Sequence, residues 1–327
     1  MKKFFNIFVV SFALVFSTSS FANKIGVIYD SGGKFDKSFN ELAYRTALRV
    51  QDELGFDMIE FEAANNTQIE QGMRKVADRG ATVIVGMGFA QADAVAAVAP
   101  DYPDIKFVAV DVCWLDDPAG NIYQACYKEH EGSFLVGMIA AMKSQTGKVG
   151  FVGGMDIPLI RKFQGGYEQG AKYVNPDIEV FANMTGTTVE AWNNPTKGAE
   201  LTKAQIDKGA DVIYQAAGGT GIGVLQAAAD AGVFGIGVDA NQNWMHPGSV
   251  LTSMLKRLDL TIFEQAEKSV AGTFQNGIYI LGLAEGGLGY AMDENNAGLI
   301  SDDMLSKVEQ AKGDIISGAI TVADWSQ

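Results

Sequence analysis

Cysteine and histidine are nearly missing from this chain: its 327 residues include two of each. There is no CxxC pair and no Cys/His cluster, and His130 and His246 stand alone. Nothing therefore supports a zinc site, and no cofactor is expected. Basic residues are also in deficit, with 25 Lys+Arg against 39 Asp+Glu and a formal net charge of −14. That balance argues against nucleic acid or an anionic membrane surface as partner. Prolines number only 7, and no Pro/Ser-rich stretch divides the chain into beads on a string. Beyond the N-terminus no apolar run is long enough to read as a transmembrane helix.

The N-terminus itself reads as an export signal. Lys2 and Lys3 precede an apolar run from Phe4 to Phe16, and Ser20-Phe21-Ala22 puts small residues where a signal peptidase reads. The run is too short to span a bilayer comfortably. No cysteine lies near the cleavage site, so the lipid-anchored version is not expected. Residues 1–22 are thus expected to be removed, leaving Asn23 first on an unlipidated chain, free in an extracytoplasmic space. Cleavage removes two lysines and no acid, so the exported protein is more acidic still. Its roughly 300 residues exceed what one core usually serves, and two domains are the expectation. In an oxidising compartment Cys113 and Cys126 either form a disulfide or remain two buried thiols; spacing alone leaves both open.

What the chain has in abundance is alternation of apolar β-branched runs with helical patterns. Ile25–Tyr29, Met58–Glu62, Thr82–Gly86 and Lys106–Val110 read as strands, and Lys148–Val152, Glu179–Asn183, Asp211–Gln215 and Val233–Val238 repeat the series. Helical segments such as Ser38–Leu54, Ile69–Arg79, Arg161–Val174 and Thr196–Lys208 lie between them. This order predicts parallel sheets with helices on both faces. The halves also match each other: Asp78-Arg79-Gly80-Ala81 with Asp207-Lys208-Gly209-Ala210, Val110-Asp111 with Val238-Asp239, and Lys24-Ile25-Gly26-Val27 with Lys148-Val149-Gly150-Phe151, at nearly constant offset. Two similar α/β lobes follow. Leu260–Gly272 is expected to return to the first lobe, which makes Leu251–Arg257 a crossing. A strand, Ile278–Gly282, and a helix, Asp302–Ser317, complete the chain.

Ligands of open α/β sheets lie beyond the carboxyl ends of strands, and those loops carry the unusual residues. In Asp30–Asn40, Asp36 or Ser38 can cap the following helix, whereas Phe35 offers a stacking face and Asn40 an amide that donates and accepts. Asp111 and Asp239 end matching strands. Each is either a local cap or an acceptor for ligand N–H and O–H groups. Trp192, in a polar loop, is a stacking platform or a ring packed at a lobe edge, and Phe89 is a weaker candidate of the same kind. The Gly218–Gly223 loop lets a ligand approach backbone at Gly219, and no Walker lysine follows it. Lys256 closes the crossing segment. No nucleophile or base partner accompanies the carboxylates, so no enzyme activity is expected.

The ensemble of Asp36-Lys37-Ser38-Phe39-Asn40, Phe107-Val108-Ala109-Val110-Asp111, Ala217-Gly218-Gly219-Thr220-Gly221, Gly237-Val238-Asp239 and Leu251–Lys256 resembles the basic membrane protein family. That family includes purine-nucleoside-binding proteins of ABC transporters. The resemblance implies the type I periplasmic binding fold, two Rossmann-like lobes on a hinge, with lobe I as 23–126 plus 257–285 and lobe II as 127–256 plus 286–327. It implies a base stacked between Phe35 and Trp192 and read by Asn40 and Asp111. Asp239, Lys256 and the Gly219 backbone would hold the ribose. Asp36, Ser38 and Phe89, from the loop reading rather than the resemblance, complete the candidate ligand contacts. The resemblance further implies a monomer that delivers its nucleoside to an ABC-type permease in the periplasm. A sugar or another small metabolite is the alternative cargo of the same fold. Trp192 stands where phenylalanine is the family's expected residue.

Overall fold

Continuous runs of apolar residues become strands buried on both faces in the computed structural model, which describes residues 23–63 and 65–326. The expected export signal, residues 1–22, lies outside the described residues. The first half runs β1 (Lys24–Tyr29), α1 (Phe39–Leu54), β2 (Asp57–Glu62), α2 (Ile69–Asp78), β3 (Val83–Met87), α3 (Ala92–Val98), β4 (Lys106–Val110) and β5 (Ile122–Tyr127). After α4 (Glu129–Lys143) the pattern repeats as β6 (Lys148–Met155), α5 (Pro158–Val174), β7 (Glu179–Gly186), α6 (Pro195–Ile206), β8 (Val212–Ala216), α7 (Thr220–Asp230), β9 (Phe234–Asp239) and β10 (Val250–Lys256). The chain ends with α8 (Leu258–Ala271), β11 (Gly277–Leu281), β12 (Leu288–Tyr290) and α9 (Asp302–Ser317).

Two six-stranded sheets result, ordered β11-β5-β4-β3-β1-β2 and β12-β10-β9-β8-β6-β7. All pairings are parallel except β10 with β12. In each sheet the order reverses beside its first strand, so β1/β3 and β6/β8 are the switch points where a crevice opens at the strand ends. The two α/β lobes with parallel sheets are therefore present, and the duplication is visible strand for strand.

The segment Leu251–Arg257 is not a bare crossing. Its residues form β10, almost wholly buried and paired in parallel with β9, and the chain leaves the second sheet only at Lys256–Arg257. Three passages join the lobes: Tyr127 to Glu129, Lys256 to Leu258, and Leu281 to Leu288. They are tied together, with Lys128 N donating to Leu281 O at 3.0 Å and Arg257 N to Gly287 O at 2.8 Å. α8 packs on α1, and α9 on α4. α4 lies against α5 with backbones almost touching, because a Cβ at Gly166 or Gly170 would overlap the backbone of His130 or Phe134. One apolar cluster runs from Ile25 and Val85 in the first sheet to Val149 and Ile236 in the second.

Candidate ligand-binding cleft

The strand-end loops of both sheets face each other across one shared cavity. From the first sheet come Asp30 after β1, Phe89 after β3 and Asp111 after β4, with Asp36 and Phe39 at the start of α1. The second contributes Trp192 after β7, Gly218 after β8, Asp239 at the end of β9 and Lys256 at the end of β10, and α5 adds Phe163. A wider side cleft continues from Phe89, Asp111 and Leu159 towards Trp114 and Lys162.

Lys256 is the electrostatic centre. Its Nζ lies 2.6 Å from Asp111 Oδ1 and 2.9 Å from Glu129 Oε1, with all three side chains buried. The rings of Tyr127, Phe39 and Phe163 stand with centroids 4.9, 5.4 and 5.8 Å from the ammonium. Burial alone would discharge this lysine, but Asp111, Glu129 and Asp239 raise its pKa instead. Burial pushes the Asp111 carboxyl up, against the pull of Lys256. Glu129 is held below its usual value despite burial, because Lys256 and Lys162 both attract its charge. Asp239 rises to about 6, chiefly by burial, opposed by Lys256 and by the Ser38 hydroxyl.

The loop after β1 is held by its own side chains. Asp36 accepts from the N–H groups of Ser38, Asn40 and Glu41 at 2.8, 3.0 and 3.1 Å and so caps α1; burial pushes its carboxyl up to about 8 against those bonds. Ser38, freed from capping, reaches across the cleft: its Oγ donates to Asp239 Oδ2 at 2.7 Å, with Val238 O at 3.0 Å. Gln242 Nε2 also crosses, donating to Lys37 O at 3.0 Å. With the Lys256–Asp111 pair, these bonds hold the lobes together over the cavity.

The family profile described as "ABC transporter substrate-binding protein PnrA-like" matches residues 22–325. The chain belongs to this family. It is 32% identical over 306 residues to basic membrane protein A2 of Borrelia garinii subsp. bavariensis, covering 91% of this chain and 88% of that protein. The ABC transporter nucleoside-binding protein BmpA of Lactococcus lactis subsp. cremoris is 31% identical, over 91% of this chain and 88% of its own. Among solved structures, an ABC transporter solute-binding protein from Aeropyrum pernix K1 superposes with a TM-score of 0.83 at 30% identity, covering 92% of this chain and 93% of that one. The protein is thus an extracytoplasmic-type substrate-binding protein of an ABC transporter with the type I binding fold. Membership makes it a carrier of ligand, not a catalyst.

The residues singled out from sequence take different places. Asp36, Phe89, Asp111, Trp192, Asp239 and Lys256 line one cavity. Ser38 and Asn40 are buried beside it but are spent on the protein. Asn40 Nδ2 donates to Asp30 Oδ1 at 2.6 Å and to Gly33 O at 3.2 Å, and its Oδ1 accepts from Asp30 N. Gly219 lies at the seam where the lobes meet, next to Gly32 O and Trp192 O, while Gly218 faces the cavity. Phe35 is not brought to the cavity wall. It is 59% exposed, edge-on to Tyr44 and under the Lys34 ammonium; the aromatic this loop gives the cavity is Phe39. Cys113 and Cys126 are disulfide-bonded, tying the loop after Asp111 to β5. Asp30, Phe163 and Glu129 were not legible as site residues. Asp30 carried a weak signal, a carboxylate at a strand end like Asp111 and Asp239.

Proposed function

We propose that this protein captures a nucleoside, most fittingly a purine, between its lobes and presents the closed form to an ABC-type permease. The observation that carries the reading is the single cavity walled by the Trp192 indole on one side and by Asp30, Asp111, Asp239 and Lys256 on others. A flat base needs an aromatic face, worth about 1–3 kcal/mol per stacked base. Its N–H edge and the ribose hydroxyls need acceptors, and the carboxylates supply them. Lys256 has three N–H donors, two of them engaged by Asp111 and Glu129, which leaves one for a ligand oxygen. The name of the Lactococcus relative supports the same cargo. Lobes divided as 23–126 with 257–285 and 127–256 with 286–327 would close about the three passages, and closure is what a permease can sense. We further propose export with cleavage after Ala22 and a monomeric state.

Native mass spectrometry of the protein as purified, followed by thermal shift with nucleosides, free bases and pentoses, tests this reading. A retained nucleoside, or stabilisation by nucleosides alone, is the expected result. Stabilisation by a sugar and by no nucleoside would replace the cargo with the sugar.

A further inference from the structure

Strand β6 carries a glycine that its backbone does not require. Gly154 is buried near the carboxyl end of β6 and is not among the residues with positive φ. A glycine inside a strand weakens it and marks a place where something comes close to the backbone. Here the approaching group is Trp192. A Cβ placed at Gly154 would overlap Cζ3 of the indole and lie 2.5 Å from Cε3 and 3.0 Å from Cη2; its three nearest atoms all belong to that ring.

The indole has little freedom to retreat, because the chain on both sides of it is fastened. Ala191 O accepts from Thr220 Oγ1 at 2.8 Å and from Thr185 Oγ1 at 3.0 Å, and Asn194 N donates to Thr220 Oγ1 at 2.6 Å. Thr185 Oγ1 is also 3.2 Å from Gly154 O, so one hydroxyl ties the glycine to the segment that bears the ring. Gly218 lies against Trp192 as well, with the ring's Cε3 3.9 Å from where its Cβ would stand.

We propose that Gly154 is a positioning residue for Trp192: the absent side chain gives the indole a flat seat on β6 and thereby sets the width of the ligand slot on the ring's other face. The idea rests on the cavity being the ligand site. With the segment around the ring fastened, a methyl group at 154 displaces the benzo edge of the indole into the slot. Purine binding then suffers because the slot is too narrow, although no residue touching the ligand has been replaced.

Four proteins test this: wild type, Gly154→Ala, Trp192→Phe and the double variant. The ligand-independent readout is the emission and acrylamide quenching of Trp192, isolated by subtracting the matching Trp192→Phe protein. Gly154→Ala is expected to shift the emission and raise the quenching. The second readout is affinity for adenosine and guanosine. Gly154→Ala is expected to weaken binding at least tenfold in the tryptophan protein, and to change it by less than about threefold in the Trp192→Phe protein, whose phenyl ring lacks the edge that meets residue 154. An unchanged Trp192 signal, or an equal loss in both backgrounds, overturns the proposal. If wild type binds neither nucleoside, the cargo reading fails and the fluorescence still decides the seat. If Gly154→Ala does not fold, recovery of folding in the double variant supports the seat, and failure in both overturns it.

Discussion

Asp111 directly follows β4 and Asp239 closes the corresponding strand of the other sheet, β9, and both have φ of 62°. The left-handed region is uncommon for residues other than glycine, and aspartate is among the few side chains that tolerate it. In each lobe the twist at the strand end turns a carboxylate into the shared cavity, one towards Lys256 and the other towards Ser38. The duplicated halves thus supply opposite walls of one site with the same local device.

Lys256 binds that arrangement together, and removing it exposes the cost. Lys256→Met leaves the buried Asp111 and Glu129 without their common cation, retaining only Lys162 beside Glu129. Breaking a buried ion pair from one side typically costs about 3–5 kcal/mol. Urea unfolding of the variant should show a loss of that size. A loss below about 1 kcal/mol would mean the network contributes little to holding the lobes.

The pH dependence follows from Asp239. Its folded-state pKa is raised to about 6, so in the unliganded protein its contribution to stability is full at low pH and fades as the pH rises through that value. A ligand whose hydroxyls donate to the carboxylate favours the ionised form and reverses the preference. Affinity is therefore expected to rise between about pH 5 and 7, by at most about tenfold per unit below the pKa. Asp111, Glu129 and Lys256 surround the group and are already paired with one another. Asp239→Asn should flatten the calorimetric profile across this window; a slope that survives the substitution assigns the titration elsewhere.

The parts of the fold readable from sequence are those whose signal is local. β1 to β4 and β6 to β9 announce themselves as apolar β-branched runs between turn residues. β10 does not, because Thr252 and Ser253 interrupt it. Their hydroxyls are satisfied by Ala291 O at 2.8 Å and by Gln242 N and Asn243 Oδ1 at 3.0 Å, partners that all lie outside the strand. α4 is buried nearly all round, so it lacks the one-sided periodicity of a surface helix. Glu129 opens that helix, and its meaning depends on a lysine 127 positions away. Phe35 lies off the cavity for a local reason: its ring meets Tyr44 edge-on, with the Lys34 ammonium beside both rings.

The disulfide should support the site as well as the lobe. Cys113 and Cys126 are 13 positions apart, and closing a loop of this size contributes about 3 kcal/mol by the chain-entropy estimate. Reduction, or replacement of both cysteines by serine, is expected to lower the thermal midpoint and to loosen the loop after Asp111. Hydrogen exchange at residues 112–116 should rise in the reduced protein. Unchanged protection there would separate the bridge from the site.

Trp192 offers the most direct test of the cavity. The ring is half-buried, lines the cavity, and rests on Gly154 and Gly218 without making a hydrogen bond through its side chain among the described residues. Trp192→Ala therefore removes a face without leaving a buried polar partner unpaired, and the fold should survive with a modest stability loss. Nucleoside affinity should fall at least tenfold, matching about 1–3 kcal/mol of stacking. Asp111→Ala should weaken binding at least tenfold as well, but by a different route, since it also frees Lys256 from one of its two carboxylates. Isothermal titration of the two variants separates the routes: loss confined to ligands with an aromatic base marks the stacking face, and loss extending to the pentose marks the charge network. Equal, unchanged affinity in both would remove the cavity from consideration as the nucleoside site.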